Sequence, residues 1–211
     1  MMATTHGLAG LALGVGVSAI APEHAPIALS AGLAGGVFPD LDLYAGHRKT
    51  LHFPSYYPLA ALPAAAVAVV TANPLAVAVA VFLAAAALHT AMDVFGGGLE
   101  LRPWEGTSDR GVFDHRQGVW LAPRRWVRYD GAPEDFGLAV IVGLPLLSRL
   151  HGDWLTLVLG LLAVSAAYVL LRKPMVWAAE TLVRVLPLQV LAYVPDRFLV
   201  GLEPPGRKPA P

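Results

Sequence analysis

The residues best suited to chemistry are His89 and Asp93, which close a long apolar run that begins near Pro74. In a helix, residues four positions apart lie on the same face, one turn from each other. The imidazole and the carboxylate can therefore bind one cation together, and such a pair suits Zn²⁺ and similar divalent ions. An isolated pair of this kind is more often a plain helix C-terminus with a local hydrogen bond, so a metal site depends on the rest of the chain.

Other histidines and aspartates also stand where apolar segments begin or end. They are His6 before the first segment, Asp40 and Asp42 after the second, and His47 and His52 before the third. A four-helix arrangement would bring these ends together, and helix bundles commonly build metal sites from facing helices. Ordinary polar residues flanking helices are the alternative. The polar residues at these segment ends are mostly His and Asp, with almost no Glu or Lys, and this bias favours the metal site.

The composition indicates a membrane protein. Hydrophobic residues make up 56% of the 211 and charged residues only 14%, whereas soluble proteins have about 25% charged residues. The apolar residues fall in six runs, at 8–21, 25–38, 56–70, 75–92, 136–147 and 154–171. We therefore predict an all-α fold, a polytopic membrane helix bundle of about six transmembrane helices. The chain has no cysteine, so any metal must be bound by His, Asp, Glu or backbone oxygen.

Small residues predict how the first two helices pack. Gly10 and Gly14 form one GxxxG pair, and Gly32 and Gly36 form a second. This spacing lets two helices approach closely in lipid, so we expect a tight helical hairpin. Both segments are shorter than the roughly 20 residues that span a bilayer comfortably.

The pattern divides the chain into four parts. Residues 1–95 form a four-helix half that carries the metal site, and 96–135 form a cytoplasmic loop or cap whose tryptophans suggest an ordered structure at the membrane surface. Residues 136–195 supply two further membrane helices and, at 174–194, an amphipathic surface helix. The Pro-rich tail, 196–211, is predicted to be disordered.

Charge sets the predicted orientation. With six crossings, all but Arg149 of the fifteen Lys and Arg residues lie on the same side as the chain's N-terminus. The positive-inside rule makes that side cytoplasmic. We therefore expect a multi-pass protein of the cell membrane with its metal site on the cytoplasmic side. The formal net charge is zero, which provides no global field to attract nucleic acid.

Four motifs within residues 1–105 resemble a known family when they are taken in order. They are Thr5-His6-Gly7, Pro39-Asp40-Leu41-Asp42, His47-Arg48 with His52, and His89-x-x-x-Asp93 followed by Leu101-Arg102-Pro103-Trp104. In these residues the chain resembles the membrane-bound, metal-dependent hydrolases that include the LexA-binding inner-membrane-associated hydrolase family. Where that family usually has Thr-His-Ser, this chain has Leu51-His52-Phe53. The resemblance implies an inner-membrane hydrolase, distantly akin to helical zinc-dependent phospholipases and nucleases that act on phosphoesters.

These residues suggest a metal-assisted hydrolysis. We expect one or two divalent ions, Zn²⁺ foremost, and the candidate ligands are His6, Asp40 or Asp42, His47, His52, His89 and Asp93. Such a site activates water and clamps a phosphoester. Asp42 is a candidate general base, or a residue that orients a histidine. Arg48 is a candidate phosphate ligand or an interfacial arginine, and His47 is either a metal ligand or a group that supports one.

Two alternative functions and some secondary site candidates accompany this hypothesis. The chain could be a non-enzymatic membrane protein whose structural metal site supports docking of a cytoplasmic partner through the loop 96–135. A transporter is disfavoured, because the polar groups lie at helix ends rather than at the bilayer midplane. Asp114-His115-Arg116 could complete the site, although a surface turn is favoured. Arg124, Arg125 and Arg128 are expected to face anionic lipid headgroups rather than nucleic acid.

Overall fold

A computed structural model describes residues 1–191 and 193, and this part of the chain is predominantly α-helical. Its helices are α1 (Ala3–Ile20), α2 (Ala25–Val37), α3 (Tyr56–Thr71), α4 (Pro74–Val94), α5 (Pro133–Leu147), α6 (Gly152–Val185) and the short α7 (Leu188–Leu191). Short 3-10 turns occupy Pro22–His24, Phe38–Tyr44 and Pro103–Glu105. Strands β1 (Val112–Asp114) and β2 (Val119–Leu121) pair in an antiparallel hairpin that the sequence did not predict. The all-α fold class is confirmed apart from this hairpin.

Helices α1 and α2 pack through the glycines that the GxxxG spacing singled out. A Cβ atom added at Gly10 would collide with the carbonyl group of Gly32. A Cβ at Gly14 would come within 2.7 Å of the Ala28 oxygen, and one at Gly36 within 2.5 Å of the His6 oxygen. Only glycine permits so close an approach of the two backbones. The predicted helical hairpin is therefore confirmed.

Helix α4 packs on the opposite face of α2, again through a glycine that allows a close approach of the backbones. A Cβ added at Gly35 would collide with the backbone of Phe82 in α4. Helix α3 packs on α4, while α5 and α6 pack on α1. Leu8, Leu11 and Val158 are completely buried in the apolar cluster between α1, α5 and α6. This arrangement places the start of α1, the end of α2 and the end of α4 at one end of the bundle.

Three helices, rather than the six expected, are long and apolar enough to cross a membrane: α1, α4 and α6. Helix α3 is apolar but has 16 residues, α2 has 13 and α5 has 15. At 1.5 Å per residue, 13 residues measure about 20 Å, against about 30 Å for the hydrocarbon core. Helices α2, α3 and α5 are short because the segments that flank them form 3-10 turns and loops instead of further helix.

The separate amphipathic helix predicted at 174–194 is not present as such. Helix α6 continues without interruption through Arg172 and Pro174 to Val185, and only the short α7 follows within the described residues. Contacts with the preceding loop explain the continuation. Arg172 binds the carboxylate of Asp130 at 3.1 Å and 3.2 Å, and Glu180 binds Arg102 at 2.6 Å and 2.7 Å. The predicted disordered tail, 196–211, lies outside the described residues.

Residues 96–135 form a folded cap over the end of α4. The backbone nitrogen of Arg124 donates to the Val94 oxygen at 2.8 Å, and the nitrogen of Val127 donates to the Phe95 oxygen at 3.2 Å. The β1–β2 hairpin is held in turn by Phe113, whose nitrogen donates to the Arg48 oxygen at 2.9 Å. These bonds fix the cap against the same end of the bundle that collects the candidate ligands.

A candidate metal centre

Four side chains converge at the capped end of the bundle: those of Asp40, His52, His89 and Asp93. Each offers one ligand atom, and all four atoms lie within 4.8 Å of one another. His52, His89 and Asp93 are buried, while the Asp40 side chain is 18% exposed. Two imidazoles and two carboxylates form a donor set that fits Zn²⁺ and similar divalent ions. The group could therefore hold a metal ion.

Helix α4 supplies one side of this group. The Nε2 atom of His89 lies 3.4 Å from Oδ2 of Asp93, one turn along the same helix face. The Nδ1 atom of His89 lies 2.7 Å from the carbonyl oxygen of Gly36. A carbonyl oxygen only accepts hydrogen bonds, so Nδ1 carries the proton in the neutral ring and Nε2 presents its lone pair to the group.

His52 is held in the same way by a carboxylate. Its Nδ1 atom lies 3.0 Å from Oδ2 of Asp42, which makes Nδ1 the donor and turns Nε2 inward. The two inward Nε2 atoms, of His52 and His89, are 3.2 Å apart, and Oδ2 of Asp93 is 3.2 Å from the former. Two lone pairs and a carboxylate oxygen at this distance repel one another unless a cation lies between them. The arrangement of the side chains thus demands a positive charge.

The two aspartates of the 3-10 turn Phe38–Tyr44 lie on different sides of His52. Oδ1 of Asp40 faces the group, 3.5 Å from Nε2 of His89 and 3.9 Å from Nε2 of His52. Asp42 lies behind His52 and is buried. Besides His52, it accepts hydrogen bonds from His47 Nδ1 at 3.1 Å and from the Leu51 nitrogen at 3.1 Å. Asp42 therefore contacts two histidines and is placed to orient them.

The loop residues carry perturbed pKa values. Burial alone raises the pKa of Asp40, but the hydrogen bond to His89 and the neighbouring imidazole charges outweigh it and lower the pKa to about 2. Burial likewise opposes ionisation of Asp42, but hydrogen bonds from His47 and His52 hold its pKa well below the usual range. Burial lowers the pKa of His52, yet its hydrogen bonds to Asp42 and Asp93 prevail and raise it. A proton on His52 can therefore supply the positive charge until a metal displaces it.

The second carboxylate oxygen of Asp93 faces a different set of groups. Oδ1 lies 2.6 Å from the amino group of Met1, 3.1 Å from Nε2 of His6 and 3.4 Å from Nη2 of Arg48. The ring of His6 stacks on that of His89, with centroids 3.7 Å apart. His6 is therefore buried beside the four-residue group without belonging to it.

Arg48 and His47 each contact a buried carboxylate of the site. Arg48 is buried, 4% exposed, so it is not an interfacial arginine. Its Nη1 atom donates to the Gly97 oxygen at 2.6 Å while Nη2 faces Asp93. Its backbone adopts φ of 59°, a left-handed conformation uncommon outside glycine. His47 contacts Asp42 from the side away from the group, so it supports that carboxylate.

The secondary candidates in the cap lie outside the group. Asp114 accepts hydrogen bonds from Ser55 at 2.9 Å and from Gln117 at 2.8 Å, as in an ordinary turn. His115 contacts the Lys49 oxygen at 2.6 Å. Arg125 donates to carbonyl oxygens of the cap itself, and Arg128 forms an ion pair with Glu134 at 2.6 Å. Two of the three arginines expected to face lipid headgroups are thus engaged within the protein.

Sequence reasoning missed the carbonyl groups that hold the site. Gly36 accepts the Nδ1 proton of His89, and Gly97 accepts from Arg48. The GxxxG pair could have pointed to Gly36, because a glycine at a close helix contact leaves its carbonyl accessible to side chains from neighbouring helices. Comparison of the chain with protein-family models, with curated proteins and with solved structures finds no match.

Proposed function

We propose that this protein is a membrane-embedded, metal-dependent hydrolase that cleaves a phosphoester such as a lipid headgroup. The observation that carries the proposal is the pair of imidazoles, His52 and His89, whose Nδ1 atoms are tied outward while their Nε2 atoms meet at 3.2 Å. The motif resemblance to membrane-bound, metal-dependent hydrolases agrees with this function.

A single metal, with Zn²⁺ as the best candidate, fits the charges better than two. Oδ2 of Asp93 faces the two inward histidine nitrogens. Oδ1 already has the guanidinium of Arg48 at 3.4 Å. A second cation on the Oδ1 side would meet that charge in a buried site, where repulsion between like charges is little screened. Arg48 thus takes the place that a second metal would need.

The residues divide the catalytic work between them. A bound divalent ion would lower the pKa of a water molecule and polarise a phosphoryl oxygen. Asp42 keeps His52 in the tautomer that binds the metal, and Gly36 does the same for His89. Arg48 offsets the charge of Asp93. Asp40 is the one partly exposed member of the group.

The proposal includes a placement in the membrane, which the apolar surface and the distribution of charge support. We place the metal end of the bundle at the cytoplasmic face of the inner membrane, with α1, α4 and α6 crossing the bilayer. The exposed apolar residues on α3 and α6, among them Val69, Val70 and Leu170 at 84%, 85% and 77%, then face lipid. The concentration of Lys and Arg at the capped end supports this orientation.

Metal analysis of purified protein tests the proposal. His89→Ala and Asp93→Ala should each lose the bound metal and the hydrolysis of a phosphodiester such as bis-p-nitrophenyl phosphate. His24→Ala is the matched control, since His24 is also a buried histidine but lies at the opposite end of α1 and α2. Unchanged metal content in both site variants would refute the metal centre.

One observation favours a second function, a structural metal site in a protein that docks a cytoplasmic partner. Structural zinc sites have four protein ligands, whereas catalytic sites have three and an open position. Four side chains converge here and three of them are buried. Metal that is lost from His89→Ala, with no hydrolysis by wild type on any phosphoester, would support this function over catalysis.

A further inference from the structure

An apolar groove opens next to the metal centre, between the end of α4, the cap and the start of α5. It has a volume of about 560 Å³ and is lined mainly by Met92, Phe95, Trp126, Gly137, Leu138 and Ile141. This volume falls within the range of small-molecule sites, about 300–1,000 Å³. The groove also reaches Met1, whose amino group is 2.6 Å from Oδ1 of Asp93. Met1 therefore lies between the groove and Asp93.

The lining of the groove is almost wholly apolar. Its one charged side chain is Glu134, which is paired with Arg128 at 2.6 Å. Ile141 in the lining is 70% exposed on α5, and Leu144 on the same helix is 57% exposed. Trp126 stands at the side, 75% exposed, with its ring 4.4 Å from that of Phe95. Tryptophan in such a position is typical of the membrane interface. An apolar groove beside an exposed tryptophan and an open apolar helix face suits the acyl chain of a membrane amphiphile.

Gly137 keeps the floor of the groove open. A Cβ added at this position would meet no atom within 4 Å, unlike the glycines that hold α1 against α2. The absence of a side chain on α5 is therefore not required for helix packing. It leaves space that a methylene chain can fill.

We infer that the groove binds one acyl chain of a membrane phospholipid and so delivers its phosphate to the metal centre. The inference deepens the proposed function, on which it rests for the reaction. It specifies the substrate class as a long-chain amphiphile that enters sideways from the bilayer. A water-soluble phosphoester would leave the groove empty and gain nothing from it.

The test uses the full chain in phosphatidylcholine vesicles that contain a trace of phosphatidylcholine with a diazirine on one acyl chain. After illumination, peptide mass spectrometry compares labelling at Leu138 with labelling at Leu170, an exposed residue of α6. In Gly137→Leu, the added side chain fills the groove, so the Leu138 signal should fall at least about tenfold relative to Leu170. Gly160→Leu is the matched control, because a Cβ at Gly160 also meets no atom within 4 Å. It should retain both signals.

Equal Leu138 labelling in wild type and Gly137→Leu would overturn the inference. Metal content, measured on the same samples, verifies that Gly137→Leu is folded.

The labelling does not require catalysis, so it separates the two proposals. His89→Ala should lose metal and keep the Leu138 signal. Groove labelling in a wild-type protein that hydrolyses nothing would refute the hydrolase alone. Hydrolysis of bis-p-nitrophenyl phosphate without groove labelling would refute the acyl-chain site alone. In an active protein, the ratio of long-chain to soluble phosphodiester hydrolysis should fall about tenfold in Gly137→Leu and stay unchanged in Gly160→Leu.

Discussion

Oδ2 of Asp42 lies 3.0 Å from Nδ1 of His52, and this contact turns the opposite ring nitrogen toward Asp93, 3.2 Å away. The carboxylate thereby fixes both the tautomer and the orientation of an imidazole that it supports from behind. Residues of this kind typically change metal affinity by about 10–100-fold when they are altered.

Asp42→Asn should therefore weaken metal binding by about 10–100-fold while all four ligands stay in place. The amide can present its NH₂ group to Nδ1, which would favour the ring tautomer with the proton on Nε2. Zinc titration monitored by a competing chelator measures the change. Asp109→Asn, at an exposed position of the cap, should bind as wild type does. Wild-type affinity in Asp42→Asn would contradict the orienting role.

Metal removal should lower the thermal stability of the protein. Binding to the folded state alone contributes about 2.7 kcal/mol when free metal is at 100 times Kd. We expect a chelator to lower the unfolding temperature of wild type and of His24→Ala, but not that of His89→Ala. A differential scanning measurement in detergent, with and without chelator, checks this. An equal response of all three proteins would show that the chelator acts elsewhere.

Gly35→Ala should impair both the fold and the site. The new Cβ would collide with the backbone of Phe82, and backbone cannot rotate away as a side chain can. Overpacking of this kind costs about 1–3 kcal/mol, and the required shift of α4 would carry His89 away from Gly36. Unfolding and metal titration should both register the change. Gly160→Ala, where the Cβ meets open space, should gain about 0.5–1 kcal/mol, as expected for alanine in a helix.

Arg48→Asn should destabilise the chain by about 3 kcal/mol or more, because it leaves the buried Asp93 without its guanidinium partner. Asparagine is the cleanest substitution, since it tolerates the left-handed backbone that Arg48 adopts at φ of 59°. Chemical denaturation of the metal-free protein measures the loss. A stability equal to that of wild type would show that another group neutralises Asp93.

Reporter fusions test the membrane orientation. A fusion after Thr71, at the end of α3, should report from the side opposite to a fusion after Gly118 in the β1–β2 hairpin. Helix α4 lies between these two points and is long enough to cross. Both reporters on one side would contradict the antiparallel arrangement and with it the cytoplasmic position of the metal centre.

The sequence predicted those features that depend on spacing within one segment. The spacing of Gly10 and Gly32 with their partner glycines predicted the α1–α2 contact. The i, i+4 spacing of His89 and Asp93 predicted that both side chains lie on one face of α4. It also predicted that segment ends would gather the ligands, because alternating helices return to the same end. It did not distinguish Asp40 from Asp42, since the 3-10 turn that points them apart depends on hydrogen bonds from His47 and Leu51.

Features that depend on contacts between distant parts of the chain were not predicted, because spacing within one segment does not reveal such contacts. Arg172 and Lys173 look like the polar end of a membrane helix, yet α6 continues because Asp130 and Arg102 bind its later turns. The sequence also gave no sign that the ring of His6, a predicted ligand, stacks on that of His89. The β1–β2 hairpin is too short to give a periodic pattern in the sequence. A backbone hydrogen bond from Phe113 to Arg48 attaches it to the loop that precedes α3.

The length of α6 has a consequence for where the chemistry takes place. Its 34 residues measure about 51 Å, well above the roughly 30 Å of hydrocarbon that a bilayer offers. Ser165 meets Thr4 of α1 at 2.7 Å, and Glu180, four turns later, binds Arg102 of the cap. In the proposed membrane arrangement, the last part of α6 therefore extends beyond the lipid and holds the cap through these contacts. The length of α6, rather than the lipid composition, then sets how far from the hydrocarbon core the proposed site would bind a phosphate.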